Sequence, residues 1–198
     1  MFEVKHLPIS IYTRPQAAEF IDRRTGEPIE FDDVEAIALH WLELPNWREE
    51  DAYLDFVNRA VRKAFGSANA LCGFEKLIEM VRDLEYCWHV GSRYYTPWAR
   101  KRFGPDPGSK ILSLEMVHTN WDGEPPKKTE WMAEHWCAMK CEKYGLNPFE
   151  DIMTHWHVTW KRTDNGPCHR WYVEDPARLL NFQEHVKRMM SNREFTFA

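Results

Sequence analysis

The sequence contains no long apolar run, and its mean hydropathy is −0.62, which excludes a membrane span; no membrane partner is expected. It has no excess of positive charge either: 26 Lys and Arg against 31 Asp and Glu leave a net charge of −5. Without a basic stripe to neutralise phosphates, no nucleic-acid partner is expected. Met1 to Pro8 lack a basic segment followed by an apolar one, so synthesis in the cytoplasm without a signal peptide is expected. Cysteine is scarce and odd in number, five residues at irregular spacing, which is no disulfide framework. Cys137 and Cys141 fall one helical turn apart, where a disulfide would be strained, and are expected as buried helix residues. Repeats and internal linkers are lacking as well. One domain is therefore expected over 34–190, after an irregular lead-in over 1–33 and before a tail over 191–198, and the protein is expected to be a monomer.

What the chain does have is aromatic weight: 14% of its residues, with ten Trp. That predicts a Trp-rich core, with flat faces available to line a cleft for sugar or peptide groups. Val34 to Trp41 reads as a buried strand. His40 falls at its C-terminal end, where α/β sheets usually bind ligands. Asn46 and Glu49 read as a capping box opening a helix whose Tyr53, Phe56, Val57, Ala60, Val61 and Ala64 share one face, ended by Gly66. Residues 67–88 read as extended, with a turn near Cys72 to Phe74 and a strand over Leu77 to Val81. Residues 92–110 read as a long loop whose Tyr94, Tyr95 and Trp98 are candidates for walling a groove. Ser109 to Val117 reads as a buried strand carrying Glu115, an expensive place for a charge unless something pairs with it. Thr129 to Tyr144 reads as a helix stopped by Gly145. Asp175 and Pro176 open the last helix, with Asp as N-cap and Pro at N1, and with Leu179, Phe182, Val186 and Met189 as its buried stripe. Strands and helices alternate, so the fold class is α/β, with a mixed central sheet flanked by helices.

The densest chemistry lies between Thr154 and Val173. Thr154 to Thr159 has the period-2 pattern of a strand, placing His155 and His157 on one face. Asp164 to Pro167 is a strong turn signal, which would return Cys168 toward that strand. A thiolate beside an imidazole makes a zinc half-site that one nitrogen ligand from elsewhere would complete. By position, the polar groups at strand ends are His40, His89, Glu115, His155 or His157, and Cys168. Spacing alone leaves structural histidines and a zinc site as alternatives.

Five segments, in order, resemble the zinc-dependent N-acetylmuramoyl-L-alanine amidases of phage endolysins and bacterial autolysins, a superfamily shared with peptidoglycan recognition proteins. Ile37-Ala38-Leu39-His40-Trp41 is similar to the first zinc strand. Glu85-Tyr86-Cys87-Trp88-His89-Val90-Gly91 resembles Glu-x-x-Trp-His-x-Gly. Ile111 to Met116 resembles Ile-Gly-Ile-Glu; Thr154 to Lys161 resembles Thr-His-x-Asp-Val-Thr-Gly-Lys; and Cys168 to Val173 resembles Cys-Pro-x-x-Phe-Val. The resemblance implies Zn²⁺ held by His40, His155 and Cys168, with a fourth position left for water. It implies Glu115 as general base and proton donor, Lys161 as oxyanion stabiliser, and His89, Trp88 and Asn69 in the substrate cleft. Asn69 stands where relatives often carry a titratable residue, so proton transfer would rest on Glu115. The implied partner is peptidoglycan, and the implied reaction is hydrolysis of the bond joining N-acetylmuramic acid to L-alanine at the bacterial cell wall. A non-catalytic peptidoglycan-binding module of the same fold is the alternative.

Overall fold

The computed structural model describes residues 3–9, 33–42, 45–61, 66–87, 89–90, 95–121, 123–159 and 170–192. Among these residues, six strands form one mixed sheet: β1 (Glu3–His6), β2 (Ala36–Trp41), β3 (Ala70–Cys72), β4 (Lys76–Glu79), β5 (Ile111–Met116) and β6 (Ile152–Thr154). Their order across the sheet is β1-β4-β3-β5-β2-β6. All neighbouring pairs run parallel except β3 and β4, which form an antiparallel hairpin. The α/β class with a mixed central sheet and flanking helices is what the alternating pattern requires. The lead-in contributes more than irregular chain, because β1 supplies an edge strand.

Side-chain alternation divides the sheet into two packed faces. On one, Ile37, Leu39, Leu112, Leu114 and Met116 meet α3 (Lys127–Tyr144) and the last helix, α6 (Pro176–Asn192). Cys137 and Cys141 are buried there, as expected, and burial pushes the Cys141 thiol up to about 12. Trp136 is fully buried in the same layer, where its indole N–H donates to Glu79 Oε1 at 2.9 Å, the partner that a buried Trp needs. Gly145 ends α3 with φ 67°, a left-handed conformation that suits glycine. Asp175 caps α6 through its Oδ1, which accepts from the Ala177 N–H at 3.2 Å.

The other face is covered in two halves. Helix α1 (Glu49–Val61) packs over β3 and β4 through Ala52 and Phe56. Helix α2 (Pro97–Phe103) covers β2, β5 and β6 through Ala99 and Phe103. Between the two halves lies the strip that carries His40.

Four expectations are corrected. Glu49 makes no reciprocal cap with Asn46; it is fully buried, and its carboxylate accepts from the N–H groups of Phe74 and Glu75, each at 3.1 Å. The hairpin turn needed those acceptors more than the helix start did. A Cβ on Gly73 would come within 2.4 Å of the Glu49 Cβ, so that turn is closed over the carboxylate. The stretch 92–110 is not all loop, since it contains α2 and a 3₁₀ turn, Pro107–Ser109. Pro97 at the first helical position and Thr96 as N-cap form the start signal. Tyr95 is buried rather than facing a groove. Finally, Thr154 to Thr159 is not a strand. β6, which follows the one-turn α4 (Pro148–Asp151), ends at Thr154, and α5 (His155–Val158) is a single helical turn, so His155 and His157 do not alternate as strand neighbours.

Candidate metal centre

His40 and Glu115 are in direct register on adjacent parallel strands, roughly 4.8 Å apart in the sheet and on the same face. Leu39 pairs with Thr154, so His155, the next residue, stands level with His40. The two imidazoles meet with ring centroids 4.7 Å apart and planes inclined by 59°. The C-terminal ends of β2, β5 and β6 therefore gather two imidazoles and a carboxylate at the edge where such sheets bind ligands.

The turn after β6 is set by His157. Its Nδ1 accepts from the Thr154 backbone N–H at 3.2 Å and lies 2.9 Å from the Thr154 hydroxyl, a local cap that fixes the backbone bearing His155. Burial lowers the pKa of His157. Residues 95–96 brace the same turn from outside. Thr96 N–H donates to Val158 O at 2.9 Å, and the Thr96 hydroxyl donates to His157 O at 3.0 Å.

His89 sits behind His40, with its Nδ1 3.1 Å from His40 Nε2 and its own Nε2 2.9 Å from the carbonyl oxygen of Ile111. Burial, followed by the His155 charge, lowers the His89 pKa to about 3. Burial likewise holds His40 well below the ordinary histidine value, with His155 and His89 adding to the effect. Both rings are therefore neutral at pH 7, the form in which imidazole binds a metal.

Asn69 lies just before the start of β3, level with Ser113. Its Oδ1 accepts from the Ser113 N–H at 2.8 Å, and its Nδ2 donates to Val81 O and Arg82 O at 3.4 and 3.3 Å. The side chain completes a rung of the sheet and ties β5 to the chain after β4. Trp88, Lys161 and Cys168 lie outside the described residues.

Among the described residues no group of three His, Cys, Asp or Glu side chains is arranged to hold a metal ion. Two of the three expected ligands are described, however, and their chemistry suits zinc. They are two imidazoles in ring contact at a strand-end edge, that of His40 buried and neutral, and a thiolate would complete the set. The His40–His89 pairing was not foreseen. A contact between residues 49 positions apart leaves no mark in a single sequence beyond the presence of both histidines at strand ends.

The molecule is thus an α/β domain with an imidazole-rich centre at the C-terminal edge of its parallel strands. It belongs to the N-acetylmuramoyl-L-alanine amidase family, whose model matches residues 30–167. It is 22% identical over 204 residues to the N-acetylmuramoyl-L-alanine amidase BlyA of Bacillus subtilis (strain 168), a match covering all of this chain and 50% of that protein. The chain therefore spans about half the length of this curated relative. Among solved structures, the PlyG catalytic domain superposes with a TM-score of 0.66 at 15% identity, covering 95% of each chain. The Staphylococcus aureus hydrolase AmiA, in complex with its ligand, gives 0.64 at 14% identity over 96% of this chain and 85% of the other. At these identities the superpositions establish the fold.

Proposed function

We propose that the protein is a zinc-dependent hydrolase of peptidoglycan that cuts the amide bond between N-acetylmuramic acid and L-alanine. The observation that carries this reading is the convergence of His40 and His155 with Glu115 in register beside His40. Membership of the amidase family supports the substrate class and the bond.

His40, His155 and Cys168 would hold the zinc. When bound there, zinc supplies a Lewis acid that polarises the scissile carbonyl and acidifies water. Glu115 takes the proton from the attacking water as its oxygen bonds to the carbonyl carbon, then delivers that proton to the departing L-alanine nitrogen as the C–N bond breaks. Its neighbour in the sheet, His40, keeps the carboxylate beside the reacting centre. Asn69, committed to backbone groups, holds the strand that carries Glu115 in place. Lys161 would stabilise the oxyanion, and Trp88 would line the cleft for the sugar–peptide junction. The protein would act at the bacterial cell wall as a monomer, whether supplied by a phage or by the bacterium itself.

Mass spectrometry of digested cell walls tests the reaction. The expected products are intact glycan strands and stem peptides with free L-alanine amino termini, formed only without chelator and restored by zinc. Glycan fragments, or cuts within the stem peptide, would refute it. A second reading, a binding module that holds muropeptide without cutting it, is favoured by the amide of Asn69, which cannot titrate and is committed to backbone groups. It predicts sedimentation with cell walls and no release of amino groups.

A further inference from the structure

We infer that His89 is a positioning residue for His40: its imidazole fixes which nitrogen of His40 is free to bind a metal. This rests on the zinc-centre reading above and replaces a cleft-lining role for His89.

Both nitrogens of His89 are occupied within the fold. The Ile111 carbonyl, 2.9 Å from Nε2, can only accept, so Nε2 carries the hydrogen. In the neutral ring Nδ1 is then an acceptor, and the only donor that His40 can offer across the 3.1 Å contact is its Nε2–H. His40 is thereby held as the Nε2–H tautomer, with its lone pair on Nδ1. The tautomers are assigned from the partners, and the whole assignment is anchored by a backbone carbonyl that cannot change role. A residue that orients substrate would need a ring nitrogen free to do so, and His89 has neither.

The anchor is itself braced. Ile111 opens β5, the strand that carries Glu115, so one strand holds both the carboxylate and the ring behind His40. Gly108, just before it, also contributes a backbone hydrogen bond to His89. A side chain at Gly108 would be tight, since a Cβ there would lie 3.0 Å from the Tyr95 hydroxyl and 3.3 Å from Val90. That hydroxyl accepts from the Gly108 N–H at 3.3 Å and donates to Asp106 at 2.8 Å. Residues 95–110 therefore clamp the ring that orients His40, which gives this stretch a task beyond connection. Partners of metal-binding histidines act in this way, and their loss typically costs roughly 10- to 100-fold in metal affinity.

The test measures the ¹⁵N chemical shifts of the His40 ring in metal-free protein, and zinc affinity by competition with a chromophoric chelator. It compares wild type with His89→Leu, His89→Phe and His89→Asn. The Asn carbonyl takes the place of Nδ1 as acceptor. Expected are an Nε2–H His40 in the wild type, a mixture of tautomers in the Leu and Phe variants with roughly 10- to 100-fold weaker zinc binding, and recovery of most of that affinity in the Asn variant. Unchanged zinc affinity in the Leu and Phe variants, with only a raised KM on cell walls, would overturn the proposal and return His89 to orienting substrate. An Nδ1–H His40 in the wild type would also overturn it, and that measurement needs no variant to fold. A wild type that binds no zinc would instead refute the zinc-centre reading, while the tautomer would still decide the pairing of His40 with His89.

Discussion

Glu115 is one residue on a strand whose other members are all buried, and its position opposite His40 is what the proposed role of proton carrier requires. Replacing Glu115 with Ala should lower kcat on cell walls by roughly 10²- to 10⁴-fold, the usual worth of a positioned acid–base group, while the zinc content of the purified protein stays unchanged. Loss of zinc along with activity would make Glu115 part of the metal shell instead. At this scale much was legible in the sequence. A carboxylate amid apolar strand residues and a histidine at a strand end are local signals, and the structure brings His40, Glu115 and His155 together at one edge. The roles of His157, Asn69 and His89 were not legible, because each depends on backbone atoms that only the folded chain brings near. His157 caps the turn it belongs to, Asn69 completes a rung of the sheet, and His89 meets a carbonyl 22 residues away.

Among the elements, the hairpin β3–β4 shows how a buried charge can serve structure alone. Glu49 is the first residue of α1, yet its carboxylate reaches across to two N–H groups of the turn between these strands. Thr129 of α3 holds the same turn from its other side by donating to the Gly73 carbonyl at 2.8 Å. Glu49→Ala should leave two donors without their acceptor and cost about 1–3 kcal/mol, measured as a lower urea midpoint with an unchanged slope. A change within a few tenths of a kcal/mol would mean that water replaces the carboxylate at no cost. Sequence alone favoured a capping box here, because a Glu three residues after an Asn carries the same signature whether it turns back or reaches outward. The short turn α5 was hidden for a similar reason. Four residues of alternating His, Trp, His and Val match a strand, and only the local hydrogen bonds of Thr154 and the bracing from Thr96 decide otherwise.

For the whole molecule, the cluster of neutral imidazoles makes stability depend on pH in a stated direction. His40, His89 and His157 have folded pKa values below the ordinary 6.5. The unfolded chain therefore binds protons that the folded chain refuses once the pH falls below about 6.5. Their contribution to stability is full above that value and is lost progressively toward the folded values, about 3 for His89. Glu134 works in the opposite direction, since burial raises it to about 7, so its share of stability grows as the pH falls from about 7 toward 4.5. Three imidazoles outweigh one carboxylate, and the urea midpoint of metal-free protein should drop between pH 7.5 and 5.5. A flat or rising midpoint would show that these rings are not buried neutral. The architecture was legible at this scale, because apolar runs and their punctuation mark the strands and helices of an α/β sheet. Besides α2 and α5, these signals missed β1, whose four residues, half-buried at most, carry too little apolar pattern to stand out at the sheet's edge.

Zinc-edge X-ray absorption on purified, zinc-loaded protein tests the central claim most directly. The account predicts one zinc per chain bound by two nitrogen ligands, one sulfur at about 2.3 Å and one light atom from solvent. A shell without sulfur, or one closed by four protein ligands, would contradict it.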